Sequence, residues 1–290
     1  MENNRPALGI AWMLAAGFSF VALNAIVRYM GNDLPAAQNA FLRFAFGCVF
    51  LLPLLPRLRA EGFAPGALRL FGLRGVVHAA GVVCWFYAMA HIPMAEVTAI
   101  GYLNPILVTL GAALIFGEAL SLRRIIAILV ALVGAVVILR PGARVVEPGH
   151  LAQLGNAFLF ASGYLIASRL TRIASPEMVV SMLSVVVTVI LLPLAVSVWQ
   201  APTPLQYGLL AGTAIFATAG HYFMTRAFAS APLTVTQPVT FLNLIWASMS
   251  GYFLFGESVD PFVLLGGGII IGSIAYLTWR DAVRRRAAAG

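Results

Sequence analysis

The chain is 290 residues long, 61% hydrophobic and only 10% charged, with a mean hydropathy of +0.94, which excludes an ordinary water-soluble domain. Its formal net charge of +8 rests on 18 basic residues, all arginine and spread between apolar stretches. Anionic lipid head groups explain such a distribution, so a nucleic-acid surface is excluded as well.

About 20 apolar residues cross a bilayer core, and ten such segments fit near 8–30, 36–55, 70–91, 95–116, 122–140, 151–172, 177–198, 205–228, 232–255 and 261–279. The first is long and lacks a cleavage site, so it reads as a span and not as a signal peptide. It carries Phe20 and Asn24. The second follows the tight link Gly31-Asn32-Asp33-Leu34-Pro35 and holds Arg43, for which an ion pair with Asp33 or Glu96, or snorkelling, is favoured over a substrate carboxylate. The third contains His78 and Trp85. In the fourth, Thr98, Tyr102 and Pro105 share one helical stripe beside Asn104. The sixth holds Tyr164 and the eighth His221. In the ninth, Gln237, Phe241 and Leu244 repeat the stripe of the fourth, with Pro238 and Asn243. Gly268 and Gly272 in the tenth read as tight helix packing. The links Pro56–Arg69 and Pro141–His150 are the longest, and both are too small for extra domains. Cys48 and Cys84 lie inside spans and read as buried thiols.

The two halves repeat. At an offset of 139, Gly81 matches Gly220, Pro93 matches Pro232, Leu103-Asn104 matches Leu242-Asn243, and Phe116-Gly117-Glu118 matches Phe255-Gly256-Glu257. At 140, Phe18, Phe20 and Pro53 match Phe158, Phe160 and Pro193. The expected units are therefore 1–145 and 146–290. Five spans each is an odd number, so the halves insert in opposite directions.

Charge agrees. With the N-terminus inside, fourteen arginines face inward: Arg5, Arg57, Arg59, Arg69, Arg74, Arg123, Arg124, Arg169, Arg172, Arg226, Arg280, Arg284, Arg285 and Arg286. Only Arg28, Arg140 and Arg144 face outward, and both termini are expected in the cytoplasm. Tyr87 corresponds to Arg226, so basic charge has been kept where each copy faces inward.

Asn104-Pro105-Ile106 through Gly111-Ala112-Ala113 to Phe116-Gly117-Glu118, then Ser121 and a helix containing Gly134, resembles the EamA motif of the drug/metabolite transporter superfamily. Leu42-Arg43-Phe44 matches the family's arginine in the second span, and Asn243 to Glu257 repeats the pattern more loosely. The resemblance covers essentially the whole chain. It implies an all-α integral membrane protein of ten transmembrane helices in two inverted five-helix repeats. It also implies secondary transport of small metabolites through a central cavity in the bacterial inner membrane, with the fifth span of each half as scaffold. Within the family the aromatic content is most similar to YddG-type exporters of aromatic and other neutral amino acids.

Intramembrane ionisable groups default to function. No Asp or Glu occupies the middle of any span, which weakens the rival reading of a multidrug exporter for lipophilic cations. His78 and His221 either relay a proton or, as neutral imidazoles, donate one hydrogen bond to solute or helix. Pro105 and Pro238 remove amides that would bond the Gly101 and Thr234 carbonyls, leaving hinges whose freed carbonyls bind substrate or are satisfied by neighbours. Asn104 and Asn243 read as a pseudo-symmetric crossing contact, while Asn24 and Tyr164, equivalent at offset 140, are placed across the cavity from each other. Tyr102, Phe241, Trp85 and Phe20 are expected to stack the solute; Gln237, Thr98 and Tyr164 to hydrogen-bond it; His78 to tune or relay protonation.

No metal-ligand cluster, phosphate-binding glycine loop or nucleotide-hydrolysing motif is present, so neither a cofactor nor ATP-driven pumping is expected. An intramembrane enzyme built from Ser19, Ser162 and the histidines is the distant alternative, without a Gly-x-Ser-x-Gly elbow or acidic dyad to support it. The expected partners are a small solute and the bilayer, with a monomer as the working unit.

Overall fold

The computed structural model describes residues 5–54, 56, 60–116, 122–143, 145–170, 172–231, 236, 239–240 and 242–289. Among the described residues the spans are built from α1 (Pro6–Met30), α2 (Ala36–Leu51), α3 (Ala67–His91), α4 (Met94–Gly101), α5 (Asn104–Phe116), α6 (Leu122–Leu139), α7 (Pro148–Leu170), α8 (Pro176–Ser197), α9 (Pro204–Ser230), α10 (Leu242–Phe255) and α11 (Pro261–Ala289). α1, α7, α8, α9 and α11 each begin with proline, whose missing N–H is an unused donor in the first turn. A capping box closes α9: Thr203 Oγ1 accepts the Gln206 N–H and the Gln206 side chain accepts the Thr203 N–H. Gly31, at φ +50°, ends α1 in a conformation that L side chains rarely adopt.

Five segments are long and apolar enough to cross a membrane: 6–30, 67–91, 94–115, 148–170 and 177–197. The shorter apolar helices Ala36–Leu51, Ile125–Leu139, Leu242–Phe255 and Pro261–Leu277 pack among them. Outward faces are apolar, as on α6 (Leu129, Val133, Val136) and α8 (Val185, Val189, Val196), which suits a hydrocarbon solvent. The chain is an all-α membrane protein.

Its helix contacts are related by the repeat. α1 packs on α9 as α7 packs on α3, and α1 meets α10 as α7 meets α5. The pairs α2–α8 and α6–α11 each match themselves when the halves are exchanged, and α4 also packs on α10. Glycines set the closest approaches. A Cβ at Gly9 would lie 2.5 Å from Ala231 Cβ, and one at Gly149 2.7 Å from Ile92 Cγ2, two contacts that the offsets of 140 and 139 interchange. α6 and α11 touch backbone to backbone. A Cβ at Gly134 would lie 2.7 Å from the Gly266 carbonyl oxygen, and one at Gly266 2.5 Å from that of Gly134. Ser273 Oγ on α11 donates to the Ala127 carbonyl of α6 at 2.5 Å.

Three expectations need correction. The fourth span is broken, not merely kinked. Tyr102 and Leu103 bond back to Ala99 and Ile100 in 3₁₀ fashion (3.2 and 3.0 Å), and α5 starts afresh at Asn104. Pro105 lacks the donor that a continuous helix needs there. His150 belongs to the first turn of α7 and not to a loop, because Pro148 starts that helix earlier than hydropathy suggests. Arg74 lies inside α3, 8% exposed, with Nη1 donating to the Val179 carbonyl at 2.8 Å, and so is no loop charge.

Candidate substrate cavity

Two glycine seats frame the middle of the bundle. On α3, Gly81 leaves room for Phe160 of α7: a Cβ there would meet the ring at 2.7 and 2.8 Å. On α9, Gly220 does the same for Phe20 of α1, at 2.9 and 3.0 Å. Each phenylalanine also meets a histidine. Phe160 stacks on His78 with centroids 4.6 Å apart and planes within 4°, whereas Phe20 meets His221 edge-on at 5.3 Å and 76°. Phe44 of α2 adds an edge to His78 at 5.7 Å, and the Arg43 guanidinium carbon lies 4.6 Å over the Phe44 ring.

Tyr164 is 48% exposed and His221 is exposed, whereas Arg43 and His78 are half-buried. Arg43 lies within electrostatic reach of both histidines, Arg74 of His78 and Tyr164. The cluster therefore sets aromatic rings beside two guanidinium groups. A separate pocket of about 280 Å³, lined by Asn32, Asn39, Tyr87, His91 and Gln200, opens at the α1–α2 turn and lacks this combination.

A model of the EamA-like transporter family matches residues 7–140 and again 147–279. This chain belongs to that family. This EamA-like protein is 29% identical to the riboflavin transporter of Vibrio cholerae serotype O1 over 98% of this chain and 97% of the relative. It is 29% identical to the pseudopaline exporter CntI of Pseudomonas aeruginosa over 91% of this chain and 93% of that one. The S-adenosylmethionine uptake transporter of Rickettsia bellii is 27% identical over 95% and 94% of the two chains. A protein crystal structure with 17% identity shares the fold, with a TM-score of 0.61 over 94% of this chain and 98% of its own.

Among the residues expected at the site, His78 and Phe20 belong to the aromatic cluster just described, and Tyr164 lies within electrostatic reach of Arg74. Trp85 packs against the core and meets Phe86 edge-on at 5.1 Å. Thr98 Oγ1 donates within its own helix to the Met94 carbonyl at 2.9 Å. Tyr102 Oη donates to the Thr240 carbonyl at 3.0 Å, tying the break in the fourth span to the ninth. Asn24 and Asn104 are half-buried, and Pro105 is exposed at the start of α5. Asn243 packs against Gly17 of α1, with its buried Oδ1 unpartnered among the described residues. Gln237, Pro238 and Phe241 lie outside the described residues. The expected ion pair of Arg43 with Asp33 or Glu96 is not formed: Arg43 has no ion pair or hydrogen bond among the described residues, and Glu96 meets His150 instead.

Two polar groups in this transporter escaped sequence reading. On α7, His150 Nε2 meets Glu96 Oε2 at 2.5 Å, Gln153 Nε2 donates to the Val97 carbonyl at 2.9 Å, and Asn156 Nδ2 donates to the Gly81 carbonyl at 2.9 Å. Their three-residue spacing on one face was the available signal. At the other end of the bundle's first helix, Arg28 Nε pairs with Glu257 Oε1 at 2.7 Å and Arg28 Nη1 donates to the Met89 carbonyl at 2.8 Å. Glu257 Oε2 accepts the Met94 N–H at 2.9 Å. This clasp joins α1, the α3–α4 turn and the α10–α11 loop. Arg140 and Asp260 pair beside it.

Proposed function

We propose that this chain is a secondary transporter that exports small metabolites with an aromatic or other apolar part, aromatic and neutral amino acids first among them. It works by alternating access, as a monomer in the bacterial inner membrane with both termini cytoplasmic. Residues 1–145 and 146–290 are the two moving repeats. The observation that carries the reading is the mid-bundle cluster of Phe20, Phe160, His78 and His221, whose ring faces suit a flat solute. Family membership supports transport as the activity. Spans one, three, four, six, eight and nine line the path, with Arg43 of the second span reaching it; α6 and α11 brace it from the side. The Arg28–Glu257 clasp closes the outer end, and the break at Tyr102–Leu103 is the hinge nearest the cavity.

Riboflavin is the second candidate, favoured because relatives from Vibrio cholerae and Rhizobium johnstonii are riboflavin transporters. Lipophilic cations rank behind both, since no carboxylate lies mid-span to receive them.

The test is uptake of radiolabelled phenylalanine, tryptophan, threonine, riboflavin and a quaternary ammonium dye into proteoliposomes, with and without a pH gradient. Saturable amino-acid flux with mutual competition supports the first reading, and riboflavin flux alone moves the assignment to the second. Dye flux alone contradicts both. Chemical conversion of a solute by the purified protein contradicts transport as its activity.

A further inference from the structure

We propose that the cavity selects its substrate by an oxyanion, a carboxylate or a phosphate, received by the Arg43 guanidinium beside His78 and His221. The proposal rests on the transport reading of this cavity and narrows it to a substrate class.

Arg43 is the eighth of the sixteen residues of α2, so its Cα stands about 11 Å from the helix start. A lipid-facing arginine at that depth would run its side chain toward a membrane surface. This one lies over the Phe44 ring, and its field reaches His78 on α3 and His221 on α9, so it points into the bundle between those helices. No acidic side chain meets it among the described residues: Asp33, Glu96, Glu147, Glu177, Glu257 and Asp260 sit in loops or in the first turn of a helix, and Glu61 lies in the α2–α3 connection, where it binds Ser175. Arg43 Nε is sealed from solvent without an acceptor, and no hydrogen bond or ion pair engages the guanidinium among the described residues. Arg74, by contrast, gives Nη1 to the Val179 carbonyl.

The cluster thus has one sign only. An ammonium on a solute would be repelled, while an oxyanion would find a planar fork of donors whose geometry matches two of its oxygens. Phe44 holds that fork from one side. Phe160, stacked on His78, and Phe20, edge-on to His221, leave apolar walls for whatever the oxyanion is attached to.

The experiment measures binding of matched probes to the full chain in phosphatidylcholine nanodiscs, by tryptophan fluorescence. One pair is 3-phenylpropionate against phenethylamine, which carry the same ring on a carboxylate or an ammonium. The other is riboflavin 5′-phosphate against riboflavin. The expected result is a preference of about tenfold or more for the oxyanion member, the scale of a charge-assisted hydrogen bond. Which pair shows it tells carboxylate from phosphate. Arg43→Gln should erase the preference and Arg43→Lys should keep most of it. Equal binding within both pairs by the unmodified chain overturns the proposal, whether or not the variants fold; so does an Arg43→Gln protein that keeps the preference.

Proteoliposome flux of the same probes separates the two levels of the argument. Selective binding with no flux of any probe overturns the transport reading and leaves the oxyanion site standing. Flux of phenethylamine equal to that of 3-phenylpropionate overturns the site and leaves transport intact.

Discussion

The repeat builds two equivalent helix pairs, α1 on α9 and α7 on α3, and holds them together differently. Both use glycine seats, at Gly9 and Gly220 in one and at Gly149 and Gly81 in the other. In the α7 pair, Asn156 then binds the Gly81 carbonyl, while Gln153 and His150 fasten the same helix to Val97 and Glu96 of α4. The positions that correspond on α1, at offset 140, are Ile10, Met13 and Ala16, of which Met13 and Ala16 pack against Ala227. Apolar contact is non-directional and tolerates sliding; three directional bonds fix one register. One sequence unit has become a bolted arm in the second half and a slipping arm in the first.

The strongest way to break this comparison is His150→Ala, which takes the imidazole contact away from buried Glu96. Loss of one partner of such a pair costs about 3–5 kcal/mol, whereas Ile10→Ala, at an exposed position, should stay within about 0.5 kcal/mol. Thermal unfolding of the solubilised protein decides it, and equal losses would remove the distinction between the arms.

Next come the seats themselves. Gly81→Ala and Gly220→Ala each overpack a phenylalanine, at about 1–3 kcal/mol. Gly81→Ala should cost more, because its Cβ would also press on Leu159 Cβ at 3.3 Å, while Gly220 faces only the Phe20 ring. Phe160→Ala should relieve Gly81→Ala and leave Gly220→Ala unrelieved, a crossover that thermal unfolding of the double variants reads directly.

Asn156→Ala sharpens the contrast on a smaller scale. Interhelical hydrogen bonds in membranes average about 0.6 kcal/mol, so the expected sign is a modest stability loss with faster amide exchange around Gly81. Met13 offers no hydrogen bond to lose, and Met13→Leu should leave exchange around Gly220 unchanged.

The smallest effect lies on the self-matched pair α2–α8. Glu61, in the connection after α2, accepts the Ser175 hydroxyl and amide at 2.5 and 2.7 Å, and these bonds hold its carboxyl below the ordinary carboxylate range. A depressed value means that the tie is present at neutral pH and is lost as pH falls through the carboxyl's folded-state value. Amide exchange at the start of α8 should rise on acidification, and Ser175→Ala should weaken that pH dependence, leaving the part carried by the residue-175 amide.

The spans and the inversion were legible because a repeat writes the same spatial constraint twice; the matches of Gly81 with Gly220 and of Phe160 with Phe20 were visible too, but not that each glycine seats a phenylalanine of the other half. Which aromatics face the cavity was not legible. Lipid is as apolar as a protein core, so the periodicity that separates inside from outside in water is flattened here. Trp85, expected at the wall, is partly buried against the core as Phe20 and Phe160 are, and Phe44 is buried in it while meeting His78 edge-on. The pairing of Glu96 with His150 joins residues from opposite halves, where the repeat offers no guide because Ile10 replaces the histidine. The broken fourth span was only half visible: Pro105 announced a missing hydrogen bond, but not that α4 would stop at Gly101.

The Gly134–Gly266 crossing carries a consequence for how such a chain is assembled. Each glycine supplies the groove into which the other backbone fits, so neither half presents a finished lateral face by itself. Cut between the repeats and made as two polypeptides, the halves should seek each other in the bilayer and reconstitute one particle. Widening either groove's floor with a leucine should leave them as strangers.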